Sequence, residues 1–134
     1  MDADRVKRVL VVGSGVMGSS IAQVFATGEM DVTLVDVDEK ALTRAMGVIE
    51  SGLKTLADFG KISETKIPSI LSRIKPITRL TETEGDVDFA IEVVPEVPSI
   101  KRKVLSQLGE LCAPETVIAS NTSALDVFSI AEVK

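Results

Sequence analysis

This sequence contains no histidine and almost no cysteine, and these two absences exclude several kinds of catalytic and metal site. The 134 residues include no histidine and one cysteine, Cys112. A Ser-His-Asp or Cys-His unit requires an imidazole base, and a zinc site requires several Cys or His ligands, so the chain forms neither by itself. One thiol also excludes an internal disulfide, which suits a reducing compartment. We expect no metal site and interpret Cys112 as a small buried residue late in a helix.

Aromatic residues, positive charge and long apolar runs are scarce as well. The sequence has no Trp or Tyr, and 15 Lys and Arg against 20 Asp and Glu give a formal charge of -5. This composition disfavours a nucleic-acid partner, since it lacks both a basic surface for phosphates and aromatic platforms for bases. The apolar run Val9–Val12 stops at Gly13, well short of a signal-peptide core or the roughly 20 residues of a membrane span. We therefore expect a soluble, cytoplasmic protein without a membrane partner.

The sequence alternates short apolar runs with amphipathic stretches, which is typical of an α/β fold. Its length and 45% hydrophobic content suffice for one domain with a core. We predict strands at Arg8–Val12, Asp31–Asp36, Pro76–Leu80, Val87–Val94 and Thr116–Ala119. Helices are predicted from Val16 to Gly28, from Asp38 to near Gly60, over Ser63–Arg73, from Pro98 to Pro114, and from Leu125 onward.

The spacing of apolar residues also predicts which face of each helix is buried. In the first helix the predicted face is Met17, Ile21, Val24 and Phe25. In the long second helix it is Leu42, Ala45, Ile49, Leu53 and Leu56. In the helix that begins at Pro98 it is Val104, Leu105, Leu108 and Leu111.

A glycine-rich segment, GSGVMG, follows the first predicted strand and opens the first helix. It fits the pattern G-x-G-x-x-G, in which Gly13 makes the tight turn, Gly15 lets a pyrophosphate approach the backbone and Gly18 allows close packing. The helix N-terminus offers N–H groups and a partial positive charge to that anion. Three glycines in a plain strand-to-helix turn are the alternative. We predict that a dinucleotide binds through Gly13, Ser14, Gly15, Val16, Met17 and Gly18.

Asp36 ends the second predicted strand, 18 residues beyond Gly18, where an acid hydrogen-bonds the adenosine ribose of a dinucleotide. A carboxylate there repels the 2′-phosphate of NADP. The next residues, Val37 and Asp38, include no arginine to bind that phosphate. The sequence therefore favours NAD as the cofactor, with a solvated strand end as the alternative interpretation of Asp36.

Polar residues follow the two strands that a doubly wound sheet places at the nicotinamide end of the cofactor. Val94 ends one of these strands and is counted among the predicted cofactor contacts, with Glu96 and Lys101 beyond it. Asn121 and Ser123 follow the other strand. Spacing alone favours plainer interpretations. Glu96 would be an acid near a helix N-terminus, Lys101 a solvated surface lysine, and Asn121–Ser123 a turn with an N-cap.

Four features together resemble one known family. They are the segment VLVVGSGVMGSSIAQVFA, the acid at Asp36, the segment DFAIEVVPEVPSIKRKV and the segment VIASNTSALDV. In combination they resemble the N-terminal NAD-binding domain of the L-3-hydroxyacyl-CoA dehydrogenases over essentially the whole chain. The G-x-G-x-M-G loop is shared with other β-hydroxyacid dehydrogenases. The I-E-x-V-x-E segment followed by lysine, and the S-N-T-S turn, are more characteristic of the hydroxyacyl-CoA family.

The resemblance implies roles for the residues that match the family's motifs. Glu96 and Lys101 match residues that contact the cofactor on its nicotinamide-ribose side, and Asn121 lies beside the nicotinamide. Ser123 matches the catalytic serine that hydrogen-bonds the 3-oxygen of the substrate. In the family a hydride passes between C3 of the substrate and the nicotinamide, while a histidine oriented by a glutamate takes the hydroxyl proton. Because that histidine is missing, this chain alone is expected to be inactive.

We therefore predict a Rossmann fold over residues 1–134, an α/β domain with a doubly wound, mostly parallel sheet and a long helical insert after the second strand. The expected enzyme is an oxidoreductase of fatty-acid or butanoate metabolism that acts on 3-hydroxyacyl-CoA or 3-oxoacyl-CoA. The family's C-terminal helical domain, which closes over the acyl chain and forms the dimer, is expected in cis or in trans. A homo-oligomer is expected with it.

Two alternatives remain open. The first is a free-standing NAD(H)-binding regulatory module, which the match at Ser123 disfavours because a sensor needs no substrate contact. The second is the cofactor domain of another β-hydroxyacid dehydrogenase, which would change the substrate and keep the cofactor. The S-N-T-S turn disfavours that second alternative.

Overall fold

Five parallel strands form the centre of the fold. The structure is a computed structural model that describes residues 3–122. The strands in that range are β1 (Arg8–Val12), β2 (Asp31–Val35), β3 (Ile74–Ile77), β4 (Phe89–Glu92) and β5 (Val117–Ser120). They pair in the order β3-β2-β1-β4-β5, and every pair is parallel. The strand order reverses between β1 and β4, which makes their carboxyl ends the topological switch point of the sheet.

Four α-helices connect these strands. They are α1 (Val16–Thr27), α2 (Glu39–Asp58), α3 (Ile67–Ser72) and α4 (Pro98–Leu111). Short 3-10 turns lie at Ala3–Arg5, Glu64–Lys66 and Leu80–Glu82. Asp38 caps α2 as its sequence position predicts, because its carboxylate accepts a hydrogen bond from the Lys40 N–H at 2.9 Å.

Two apolar clusters cover the two faces of the sheet. On one face, strand residues such as Val11 and Leu34 pack with α1, α2 and α3. On the other face, Leu10 and Val35 pack with Leu108 of α4. Successive strand residues point to opposite faces, so strands that are covered on both sides are apolar at nearly every position.

The buried face predicted for α1 is correct in half of its residues. Ile21 and Phe25 pack against the core, whereas Met17 and Val24 are 52% and 69% exposed. The buried residues of this helix are small ones, namely Gly18, Ser19, Ala22 and Ala26. The helix lies so close to the sheet that only small side chains fit between them, and residue size rather than apolarity marks the buried face.

The face predicted for α2 is confirmed, whereas that of α4 needs a correction. Leu42, Ala45, Ile49 and Leu53 of α2 are all buried. In α4, Leu111 is exposed, and the buried residue one turn before Leu105 is Lys101. A charged side chain therefore takes a core position that the apolar pattern does not include.

Several predicted boundaries differ from the structure by a few residues. Strand β3 starts at Ile74 rather than Pro76, because a proline is tolerated inside a strand at the edge of a sheet. Strand β4 stops at Glu92, and Val93 belongs to the loop that packs on Gly13.

The predicted helix from Leu125 lies outside the described residues. Among the helices of residues 3–122, none is long and apolar enough to cross a membrane.

Candidate functional site

The glycine loop between β1 and α1 is held in shape by close backbone contacts. Gly13 has φ +111°, and its N–H donates to the Val35 carbonyl at 2.7 Å. A Cβ at Gly13 would lie 2.8 Å from the carbonyl oxygen of Val93, and one at Gly18 would lie 1.8 Å from the carbonyl oxygen of Gly13. Both positions therefore exclude any larger side chain.

Gly15 faces free space at the N-terminus of α1. No heavy atom lies within 4 Å of a Cβ built on it, and the residue is exposed. Gly15 is the N-cap residue of α1 and has no side chain to cap the helix, and the first turn of α1 contains no acidic residue. The N–H groups of this turn have no partner within the helix, so an uncrowded, positively polarised end is presented to an anion. These features fit the pyrophosphate of a dinucleotide.

Asp36, directly after β2, is bonded to the glycine loop. Its Oδ2 accepts from the Ser14 hydroxyl at 2.7 Å and from the Ser14 N–H at 3.1 Å, and its Oδ1 accepts from the Asp38 N–H at 3.0 Å. Partial burial acts to raise the pKa of Asp36, but these hydrogen bonds and the Arg44 charge outweigh it and bring the pKa below its ordinary value. The carboxylate is therefore ionised at neutral pH and fastened to Ser14.

A fully buried ion pair lies at the carboxyl end of β4. The Lys101 ammonium donates to both carboxylate oxygens of Glu92, at 2.8 and 2.9 Å, and neither side chain is exposed to solvent. Glu92 also accepts hydrogen bonds from the Ser120 hydroxyl and, at 3.1 Å, from the Val94 N–H. Glu92 is the last residue of β4 and lies opposite Val12 of β1. The pair is thus located at the switch point.

The same ammonium joins the loops that follow β4 and β5. Lys101 Nζ lies 3.2 Å from the Val94 carbonyl oxygen and 3.4 Å from that of Asn121. Glu96 Oε1 is 3.5 Å away, and Glu96 Oε2 accepts a hydrogen bond from the Thr122 hydroxyl at 2.7 Å. The structure therefore brings four of the predicted site residues together: Val94, Glu96, Lys101 and Asn121.

The interpretation of Lys101 as a solvated surface lysine is wrong, because its side chain is completely buried. Glu96 lies just before the first turn of α4, as an N-terminal acid would, but it also contacts residues across the loops. Sequence reasoning missed Glu92, although a carboxylate inside an apolar strand requires a buried partner. Ser123 lies outside the described residues. Cys112, at the end of α4, is partly buried, and burial raises the pKa of its thiol.

The strand order, the glycine loop at the N-terminus of α1 and the acid after β2 define a dinucleotide-binding α/β domain. A family model described as the NAD binding domain of 3-hydroxyacyl-CoA dehydrogenase matches residues 8–134. The chain belongs to this family of oxidoreductases, and NAD is its cofactor. The fold class, the family and the cofactor predicted from the sequence are thereby confirmed.

Individual relatives agree with the family. The chain is 35% identical over 128 residues to a probable 3-hydroxybutyryl-CoA dehydrogenase of Bacillus subtilis, covering 96% of this chain and 44% of that protein. It is 33% identical over 127 residues to a peroxisomal fatty acid beta-oxidation multifunctional protein of Arabidopsis thaliana, covering 95% of this chain and 18% of that protein. The crystal structure of 3-hydroxybutyryl-CoA dehydrogenase from Escherichia coli K12 matches with a TM-score of 0.89 and 35% identity, covering 97% of this chain and 28% of that chain. The chain thus spans less than half the length of each of these relatives.

Proposed function

We propose that this chain forms the NAD-binding part of an enzyme that transfers a hydride between NAD and C3 of an L-3-hydroxyacyl-CoA. The observation that carries the proposal is the uncrowded N-terminus of α1 at Gly15, beside a carboxylate at Asp36 that is ionised and held in place. The first fits a pyrophosphate and the second fits a ribose diol. The family supports the substrate class, since the relatives are named for 3-hydroxyacyl-CoA chemistry.

Two groups of residues would hold the cofactor. The glycine loop would bind the pyrophosphate and Asp36 the adenosine ribose, and the loops after β4 and β5 would surround the nicotinamide. When bound, NAD supplies the acceptor or donor of the hydride. Ser123 would polarise the substrate's 3-oxygen. The residues proposed for the nicotinamide end are Val94, Glu96, Lys101 and Asn121.

We propose that the proton transfer of the reaction needs a group from outside residues 1–134. The sequence contains no histidine, and its relatives continue well beyond the matched segment. We propose that a C-terminal helical domain, in cis or in trans, supplies the base, closes over the acyl chain and mediates homo-oligomer formation. Residues 1–134 would then bind NAD without catalysing turnover. For the compartment we propose the cytoplasm, which the single cysteine supports, although the Arabidopsis relative is named peroxisomal.

The experiment is a titration of the 134-residue chain with NADH, followed by cofactor fluorescence. The chain has no tryptophan, so the cofactor signal is uncluttered. A Gly15→Asp variant places a negative charge at the proposed pyrophosphate site without a steric clash. Gly47→Asp on α2 is the matched control, because a Cβ there also meets no atom within 4 Å. We expect saturable NADH binding, weakened at least about tenfold in Gly15→Asp through charge repulsion and unchanged in Gly47→Asp.

If the two variants weakened NADH binding equally, or if neither weakened it, the result would show that NADH does not bind at the N-terminus of α1. A turnover assay on the same sample, with 3-hydroxybutyryl-CoA and NAD, tests the second half of the proposal. We expect no NADH production. Sustained turnover by residues 1–134 would contradict the need for an external base.

A further inference from the structure

The buried pair Glu92–Lys101 is poorly explained as a device for stability alone. Both side chains have no exposed surface, so folding removes two charges from water. The Coulomb attraction of such a pair roughly compensates its desolvation, and well-packed apolar residues in its place are often as stable or more so. A requirement for geometry accounts for the pair better than a requirement for stability.

The geometry in question is that of two backbone loops. An ammonium has three N–H donors. At Lys101 it lies within hydrogen-bond distance of the Glu92 carboxylate, the Val94 carbonyl and the Asn121 carbonyl. These two carbonyl groups belong to the loops after β4 and β5, on one side of the switch point. The ammonium thereby fixes the spacing of these two loops.

Glu92 fixes the ammonium in turn. Its carboxylate is oriented by the Ser120 hydroxyl and the Val94 N–H, and its strand neighbours are Val12 and Ser120. The carboxylate is therefore tied to the rigid sheet, whereas the carbonyl groups it helps to place belong to loops. This arrangement transmits the geometry of the sheet to the loops through two side chains, Glu92 and Lys101.

We propose that Glu92 is a positioning residue for the nicotinamide half of the cofactor and acts through Lys101. On this proposal Glu92 holds the Lys101 ammonium in place, and the ammonium in turn holds the Val94 and Asn121 backbone at the nicotinamide end. The inference rests on the proposed nicotinamide position beside these two loops. It places no requirement on the adenosine half, which is bound at the glycine loop and Asp36.

This division between the two halves of the cofactor provides the test. ADP-ribose contains every part of the cofactor except the nicotinamide ring, so the difference between NADH and ADP-ribose isolates the binding of that ring. In the double variant Glu92→Gln with Lys101→Met no buried charge is left alone. The single glutamine oxygen keeps one of the two bonds, because Ser120 and the Val94 N–H donate to different oxygens of the carboxylate. We expect the Kd for NADH to rise about tenfold and the Kd for ADP-ribose to stay within about twofold. NADH binding is measured by fluorescence and ADP-ribose binding by calorimetry.

The matched control makes the same two substitutions in an exposed ion pair. Lys75 and Glu84 form a 3.0 Å contact on the surface at β3, remote from the β4 and β5 loops in strand order. Lys75→Met with Glu84→Gln should leave both affinities unchanged. Urea unfolding of each variant establishes how far stability has changed.

Equal losses of NADH and ADP-ribose affinity, or an unchanged NADH affinity in a folded double variant, would overturn the positioning role. The same ratio is measured for Glu92→Gln alone, which retains the ammonium and a neutral acceptor for it and so separates the role of Glu92 from the loss of Lys101. A smaller but still NADH-selective loss is then expected, and an equal loss of both ligands would again overturn the role. Absence of NADH binding to the unaltered chain would instead contradict the proposed function.

Discussion

At the residue scale, the Asp36 carboxylate should decide the preference between the two dinucleotides. It is ionised and its position is fixed by Ser14 and Asp38, so at the proposed ribose site its charge would face the 2′-position of the adenosine ribose. Asp36→Ala should weaken NADH binding about tenfold, since a hydrogen bond to a charged group is lost. The affinity for NADPH should fall less, because a repulsion disappears at the same time. Fluorescence titrations with both cofactors measure the ratio.

Ser14→Ala provides the control for this prediction. It removes the hydroxyl that donates to Asp36 but leaves the carboxylate and its charge in place. The preference for NADH over NADPH should therefore persist in this variant. If Asp36→Ala left the ratio of the two affinities unchanged, the assignment of Asp36 to the ribose site would be wrong.

Asp36 and the Glu92–Lys101 pair differ in how far a sequence can predict them. Asp36 follows a strand at a spacing from the glycine motif that the fold itself imposes, so a single chain contains the information. The environment of Lys101 depends on β4, α4 and the end of β5, which are distant in sequence. A lysine one turn into an amphipathic helix is usually solvated, and only the carboxylate inside the apolar β4 pattern indicates a buried partner.

At the element scale, α1 can approach the sheet only because its inner face consists of small residues. A Cβ at Gly18 would lie 1.8 Å from the backbone carbonyl of Gly13, which no rotamer change can relieve. Gly18→Ala should therefore lower the free energy of unfolding by about 2 kcal/mol, the typical result of overpacking. It should also weaken NADH binding, because the helix terminus and the glycine loop shift together. Urea unfolding and NADH titration measure the two effects.

Gly47→Ala is the control at this scale. It lies in the interior of α2, and a Cβ there meets nothing within 4 Å. The same substitution should raise the free energy of unfolding by about 0.5 kcal/mol, because alanine is the better helix former. A Gly18→Ala variant as stable as Gly47→Ala would show that the predicted backbone conflict does not exist.

The two helices also show where the apolar pattern succeeds and fails. In α2 the buried face is lined by Leu42, Ile49 and Leu53, and large apolar residues at helical spacing predicted it correctly. In α1 the buried face is marked by Gly18, Ala22 and Ala26 at intervals of four, which a count of large apolar residues overlooks. The position of α1 against the sheet depends on how closely the backbones approach, and hydrophobicity alone does not report that distance.

At the scale of the whole molecule, aspartates link segments at both ends of the sheet. Asp36, beyond the carboxyl end of β2, is tied to the glycine loop. Asp88, before β4, accepts hydrogen bonds from the N–H groups of Lys7 and Arg8 at 2.8 and 2.9 Å, where β1 begins. The hydrogen bonds from these two N–H groups lower the pKa of Asp88, as those around Asp36 lower its own. Both links therefore depend on ionised carboxylates.

The stability of the domain should decline in acid for this reason. A carboxylate whose pKa is lower in the folded than in the unfolded state contributes stability above the unfolded value of 3.8, and this contribution is lost as the pH falls through the folded value. Asp88→Asn removes one such contribution at neutral pH. The difference in urea midpoint between the parent and Asp88→Asn should therefore shrink as the pH falls to about 3, since protonation neutralises the parent's carboxylate as well. If the difference in urea midpoint stayed constant over this range, the charge of Asp88 would not contribute to the stability of this link.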